Sequence, residues 1–281
     1  MVDNVEIVAE CGSNHNGNLQ RALDLITLAA YRGADTAKFQ LFDNHLWRKD
    51  DPRSITTKSL ALPAEWIPKL QIHCQLNGVN FLCTPFSIEA LKILEFYDVK
   101  RYKIASGDIT YKPLISLIGG LCKPIILSTG FSTMLEIDQA LNWLNQRGPN
   151  PKITLLHCVG GYPTLPADAN LFRIQSLKEE FGLPVGVSSH YKQWWLDVAA
   201  VMLGAVMIEK HFDLYEGKDV GVEGGHSLLP SELSDLVNAV EDVRLALTTP
   251  EREGFCKVDQ DARQNARRDP SDWLRPYLGD L

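Results

Sequence analysis

The sequence has no Cys-x-x-Cys pair: its six cysteines, Cys11, Cys74, Cys83, Cys122, Cys158 and Cys256, are scattered through 281 residues. That spacing excludes a zinc knot and a disulfide framework, and leaves reduced thiols that mostly pack as small hydrophobes in a core. No run approaches the roughly 18 apolar residues of a membrane span. The opening from Met1 to Glu10 has neither the basic nor the apolar region of a secretory leader, so a soluble, cytoplasmic protein is expected. Positive charge is short as well, with 28 Lys and Arg against 35 Asp and Glu and a formal net charge of -7. Nothing in that balance holds nucleic acid or an anionic membrane. No G-x-G-x-x-G follows the first apolar run, which weighs against a nucleotide-binding doubly wound sheet.

What is present is a repeat of short β-branched or apolar runs alternating with longer amphipathic segments. Strands are expected at Val5–Glu10, Thr36–Gln40, Val79–Cys83, Arg101–Ile104, Pro124–Ser128, Ile153–His157, Pro184–Ser188 and Val206–Lys210. Helices are expected at Leu19–Arg32, Ala64–Asn77, Ser87–Tyr97, Thr133–Asn145, Asn170–Phe181, Trp194–Leu203 and Ser231–Thr248. Eight βα units with right-handed crossovers predict an α/β fold, a single (β/α)8 TIM barrel over residues 1–248. Residues 249–281 are polar and rich in Arg, a tail too short for a second core.

Each predicted strand ends on polar residues: Glu10, Lys38, Thr84, Lys103 with Ser106, Ser128, His157, Ser188 with His190, and Glu209-Lys210-His211. In such a barrel the C-terminal strand ends build the active site, and stability alone does not explain ionisable groups there, since buried unpaired charge costs several kcal/mol. Lys38 and Lys103 either pair with Glu10 and Glu209 as a structural network or compensate a phosphate and a carboxylate, and the second is favoured. Ser128-Thr129-Gly130, followed by a helix, offers hydroxyls and N–H groups where a phosphate would sit. His190 and His211 close neighbouring strands and can reach one ion. Two imidazoles with oxygen donors and no thiolate suit Mn²⁺, Mg²⁺, Co²⁺ or Fe²⁺ better than a closed zinc site. His157 reads as a hydrogen-bonding core residue, while His45, His73 and His226 are weaker candidates.

At these positions the sequence resembles the N-acetylneuraminate (sialic acid) synthase family. The resemblance starts at Ala9-Glu10-Cys11-Gly12-Ser13-Asn14-His15-Asn16-Gly17 and continues in order through Lys38-Phe39-Gln40, Cys83-Thr84-Pro85-Phe86 and Tyr102-Lys103-Ile104-Ala105-Ser106-Gly107-Asp108. Leu127-Ser128-Thr129-Gly130, Leu156-His157-Cys158 with Tyr162-Pro163, and Glu209-Lys210-His211-Phe212 complete it. It implies a metal-dependent condensation of phosphoenolpyruvate with a sugar-derived aldehyde. Lys38, Thr84, Lys103, Ser106, Ser128 and Tyr162 would bind phosphoenolpyruvate. Glu10, Glu209 and Lys103 would be catalytic, and Asn14, Asp108 and Glu223 would meet the acceptor. His190 and His211 would hold a divalent metal, Mn²⁺ first, with Mg²⁺ or Co²⁺ as alternatives.

The pattern departs from the family at several points. Ser189 stands where an Asp usually precedes the first metal histidine, Gly160-Gly161 replaces an expected Asn or Ser, and Glu223 stands in for an aspartate in Gly221–His226. The sequence reaches Leu281 without the small antifreeze-like domain that usually supplies an arginine to the partner's sugar site, so a homodimer stays open. Arg267, Arg268 or Arg275 would replace that arginine, or else serve a solubilising tail. A catalytically impaired barrel acting as a regulatory or assembly partner is the alternative, and a metal-dependent hydrolase or isomerase on the same scaffold a third.

Overall fold

The computed structural model describes residues 4–42, 46–48, 50–54, 60–146, 151–215, 221–223, 225–248 and 256–277. Eight parallel strands are joined by helices: β1 (Glu6–Gly12), α1 (Leu19–Tyr31), β2 (Thr36–Leu41), α2 (Ile67–Leu76), β3 (Asn80–Pro85), α3 (Ile88–Phe96) and β4 (Tyr102–Ile104). They continue as α4 (Lys112–Gly120), β5 (Ile125–Ser128), α5 (Met134–Asn145), β6 (Ile153–Cys158), α6 (Arg173–Phe181), β7 (Val185–Ser189), α7 (Trp195–Met202), β8 (Met207–His211) and α8 (Pro230–Thr248). The hydrogen-bonded order is β3-β2-β1-β8-β7-β6-β5-β4, and β3 lies against β4, so the sheet is a nearly closed TIM barrel.

Local chemistry sets the helix starts. The side chains of Asn18 and Ser87 accept from the backbone N–H groups of Arg21 and Ala90, and Thr133 with Glu136 forms a reciprocal capping box at α5. All eight expected strands are present within two residues of their bounds. Helix α4 was not among the expected helices. Its run Pro113-Leu114-Ile115-Ser116-Leu117-Ile118 has almost no polar face, and Gly119-Gly120 looks like a turn. In the fold Gly119 instead lets α4 close on α5, because a Cβ there would lie 2.1 Å from the Leu144 carbonyl oxygen. In the polar tail, α9 (Lys257–Ala266) forms, while Thr249–Phe255 lie outside the described residues, as does His45. Of the six thiols, all free, Cys11, Cys74 and Cys83 are buried, Cys158 and Cys256 are half-buried, and Cys122 is exposed. Among the described residues no helix is long and apolar enough to cross a membrane.

Strand alternation divides the buried residues into two bodies. Ile7, Ala9, Phe39, Leu127, Leu155 and Ile208 face outward into the large core beneath the helices. Val8, Leu82, Ile126, Leu156 and Met207 face inward and form an apolar layer across the barrel. Below that layer, Arg101 Nη1 donates to Glu6 Oε2 at 2.8 Å and Thr36 Oγ1 to Glu6 Oε1 at 2.6 Å. Above it, two residues further along the same five strands, stand Glu10, Thr84, Ser128, Cys158 and Glu209, all lining a cavity.

Leu82 is fully buried at the centre of the layer that floors this cavity. Leu82→Ala is expected to lower unfolding free energy by about 2–5 kcal/mol, measured by urea denaturation.

Candidate active site

The cavity at the C-terminal end of the barrel has a volume of about 330 Å³. Of the residues expected to bind or react, it brings together Glu10, Lys38, Thr84, Lys103, Ser106, Ser128, Tyr162, His190, Glu209, His211 and Glu223. They come from all eight strand ends or the loops after them. Asn14 and Asp108 do not line it. Asn14 is fully buried beneath the β8 loop: its Nδ2 donates to the Phe212 carbonyl at 2.9 Å and Ser227 Oγ at 3.2 Å, and its Oδ1 accepts from the Glu223 N–H at 2.9 Å. Asp108 sits in a short turn after β4. Burial, only partly opposed by the Lys103 ammonium, raises its carboxyl to about 7.

The cavity floor is a charge lattice. Lys38 Nζ pairs with Glu10 and lies 3.6 Å from Glu209 Oε1, and Lys103 Nζ lies 3.5 Å from that same oxygen. Ser188 Oγ donates to it at 2.9 Å, and Gln40 Nε2 donates to Glu10 Oε1 at 3.3 Å. The lysines therefore do pair with Glu10 and Glu209. Pairing does not satisfy the floor, however. Among the described residues, Thr84 Oγ1, Ser128 Oγ and Glu209 Oε2 are buried without a hydrogen-bond partner, each at a cost of about 1–3 kcal/mol. Two ammoniums and two unpartnered hydroxyls thus share one floor, groups of the kind that would suit an anion.

Burial opposes ionisation of Glu209, but the Lys103 and Lys38 ammoniums and the Ser188 hydroxyl override it and hold the carboxyl at about 2. Burial likewise drives Lys38 down from the ordinary lysine value to about 8, with Glu209 resisting and Lys103 assisting. Lys38 is thus charged at neutral pH and titrates just above it.

His190 and His211 meet across the β7–β8 seam, with ring centroids 5.4 Å apart. His190 Nδ1 lies 2.7 Å from the Val159 carbonyl oxygen, which can only accept, so Nδ1 carries the proton and Nε2 the lone pair. His211 Nδ1 lies 3.2 Å from Glu223 Oε2. Burial opposes ionisation of Glu223, yet its attraction to His211 holds it at about 2, so its carboxylate accepts from His211 Nδ1–H. Burial and the neighbouring His211 drive His190 down to about 3, keeping it neutral. Both imidazoles are oriented through Nδ1 by an oxygen, the arrangement usual behind a metal-ligating histidine. Among the described residues no group of three or more His, Cys, Asp or Glu is arranged to hold an ion, so an ion on these two imidazoles would need its other donors from substrate and water.

The mouth also holds groups the sequence ranked low or passed over. His226, a weak candidate there because it follows a Gly-rich stretch, lines the cavity with its ring 4.6 Å from that of His211. Tyr162 stacks on His190 at 3.8 Å. Phe131 has a left-handed backbone at φ +59 and is 76% exposed beside the cavity. Its ring lies across Gly160, where a Cβ would come within 1.8 Å of it, so the departure at Gly160 makes room for this aromatic. No local signal marks Phe131, since its role depends on a residue of another loop. His157 and His73 lie elsewhere: His157 Nε2 is 2.8 Å from the Ala169 carbonyl oxygen in the core, and His73 Nε2 is 2.8 Å from Thr27 Oγ1.

Residues 25–252 match the model of the NeuB family. The chain is 37% identical over 275 residues to the N,N'-diacetyllegionaminic acid synthase of Campylobacter jejuni, covering 92% of this chain and 81% of that protein. It is 34% identical over 264 residues to the protein of the same name from Legionella pneumophila, covering 88% and 74%. The crystal structure of N-acetylneuraminic acid (sialic acid) synthetase from Leptospira borgpetersenii superposes with a TM-score of 0.85 at 31% identity, covering 92% of this chain and 90% of that one.

An anion held by Lys38 should bind fully while the ammonium is protonated and weaken as pH rises through about 8. With sulfate, whose charge stays constant, calorimetric affinity is expected to be flat below that pH and then to fall toward about tenfold per pH unit. Affinity that stays flat to about pH 10 would remove Lys38 from the site.

Proposed function

Because the chain belongs to the NeuB family, we propose that it condenses phosphoenolpyruvate with the aldehyde of an open-chain amino sugar in the cytoplasm, giving a sialic acid-like ulosonic acid and phosphate. C3 of phosphoenolpyruvate bonds to the aldehyde carbon and a water oxygen bonds to C2. The bond from C2 to the bridging oxygen then breaks, and the two water protons end on the new hydroxyl and the departing phosphate. The observation that carries this reading is the pair of lysines beside the unpartnered hydroxyls of Thr84 and Ser128 on a floor that also holds two carboxylates.

Lys38, Lys103, Thr84, Ser106 and Ser128 bind the phosphate and carboxylate, with Tyr162 covering them. Glu209 and Glu10, beside Lys103 and Lys38, would handle the proton that passes from water to the new oxygen. A divalent metal on His190 and His211, Mn²⁺ or else Mg²⁺ or Co²⁺, would supply Lewis-acid polarisation of the aldehyde oxygen when bound. Glu223 faces the acceptor, held through its N–H by Asn14, while Asp108, in the turn after β4, stays outside the cavity lining. The relatives named as legionaminic acid synthases support an acceptor with acetamido groups, whose methyls suit the exposed rings of Phe131 and Tyr162.

Labelled phosphoenolpyruvate with Mn²⁺ and a panel of N-acetylated aldoses should release phosphate, and no release with any of them would defeat the proposal. Lys103→Ala should weaken phosphoenolpyruvate binding at least tenfold, while His211→Ala should keep that binding and lose ion binding and turnover. Identical losses in the two variants would contradict the separate roles. Phe131→Ala should raise KM for the acceptor several-fold with little change in KM for phosphoenolpyruvate, read from steady-state kinetics with each substrate varied.

A further inference from the structure

Behind His190, on the outer side of the barrel wall, lies a charge cluster that the condensation does not use. Lys210 sits between Glu209 and His211 in β8, so strand alternation turns its side chain away from the cavity and toward α7. There its ammonium lies 3.0 Å from Asp197 Oδ2, with both side chains 1% exposed. It also donates to Ser189 Oγ at 3.2 Å, to the Gln193 carbonyl at 2.7 Å and to the Tyr191 carbonyl. Among the described residues both Asp197 oxygens are buried without a hydrogen-bond partner, so the ion pair is their one charged contact there.

A buried ion pair is commonly no more stabilising than apolar residues of the same volume, so stability alone does not account for this one. What its contacts do is grip the chain on both sides of His190: Ser189 before it, Tyr191 and Gln193 after it. The Val159 carbonyl holds the imidazole from the other side. Asp197 reaches the ammonium from α7, while Ser189 Oγ stands 3.2 Å from the same nitrogen on β7, close enough for a carboxylate at position 189 to serve instead.

We propose that Lys210 and Asp197 are positioning residues that fix the imidazole of His190 by clamping residues 189–193, with Asp197 supplying from the helix the carboxylate that β7 lacks at Ser189. The inference rests on His190 being an ion ligand.

The test uses the full chain and reads three quantities: the His190 tautomer from ¹⁵N-imidazole spectra without metal, assigned with His190→Gln; Co²⁺ affinity from visible absorption; and the urea midpoint. Asp197→Ser should mix the tautomers and weaken Co²⁺ at least about tenfold, and the relocated pair Ser189→Asp with Asp197→Ser should restore a single Nδ1–H tautomer and most of the affinity. The apolar pair Lys210→Met with Asp197→Leu should keep the urea midpoint yet lose the single tautomer and about tenfold in Co²⁺ affinity. This variant decides the matter if Asp197→Ser does not fold. A relocated pair that is unfolded, or no better than Asp197→Ser, overturns the proposal, as does an apolar pair with unchanged tautomer and affinity. Absence of Co²⁺ binding by the unmodified chain would instead overturn the ion reading, and the metal-free tautomer comparison would still decide the clamp.

Discussion

Neutralising charge inside a closed strand ring is the constraint that organises this molecule. Lys38 and Lys103 stand in the barrel mouth almost out of reach of water, where isolated ammoniums would not remain charged. Glu10 and Glu209 make their burial tolerable, and one carboxylate oxygen of Glu209 serves both lysines and Ser188. The compensation is incomplete by design of the geometry: hydroxyls at Thr84 and Ser128 and the second Glu209 oxygen have no partner among the described residues. A floor that is charged and short of partners would suit a small polyanion.

The same constraint explains the layering below. Water entering from the N-terminal end would screen the lattice, and the apolar layer of Val8, Leu82, Ile126, Leu156 and Met207 blocks it. Glu6, Thr36 and Arg101 close the end beyond with their own hydrogen bonds. Each inward strand position therefore changes character every second residue, from polar plug to apolar seal to reacting group.

Around the rim, function depends on loops held by distant residues. Glu223 is set by Asn14, some two hundred positions earlier in the chain, and Arg21 of α1 fixes the same loop through Asp213 at 2.5 Å. His190 and His211 are oriented by Val159 and Glu223, which belong to other loops. The floor residues stand on the strands, while the rim is assembled from these cross-links. Departures from the family pattern gather at Gly160, Ser189 and Glu223, at the rim, where Phe131 lies across Gly160 and Lys210 joins Ser189 to Asp197.

Most of the barrel and its floor were legible in the sequence, because strand alternation is local: once Val5–Glu10 or Val206–Lys210 is read as a strand, the inward positions follow from a period of two. The polar strand ends then name Lys38, Lys103, Ser128 and Glu209 without coordinates. Helix α4 escaped that reading because its apolar faces and Gly119 answer to α5, not to their own neighbours in sequence. Phe131, the place of His226 at the mouth, that of Asn14 beneath the β8 loop and the partnership of Lys210 with Asp197 escaped for the same reason. Amino-acid order fixed which residues point into the barrel, since that depends on backbone geometry within a few positions. Only the folded chain decided which loops meet over the mouth and which oxygen orients each imidazole, because those contacts join segments that no local periodicity relates.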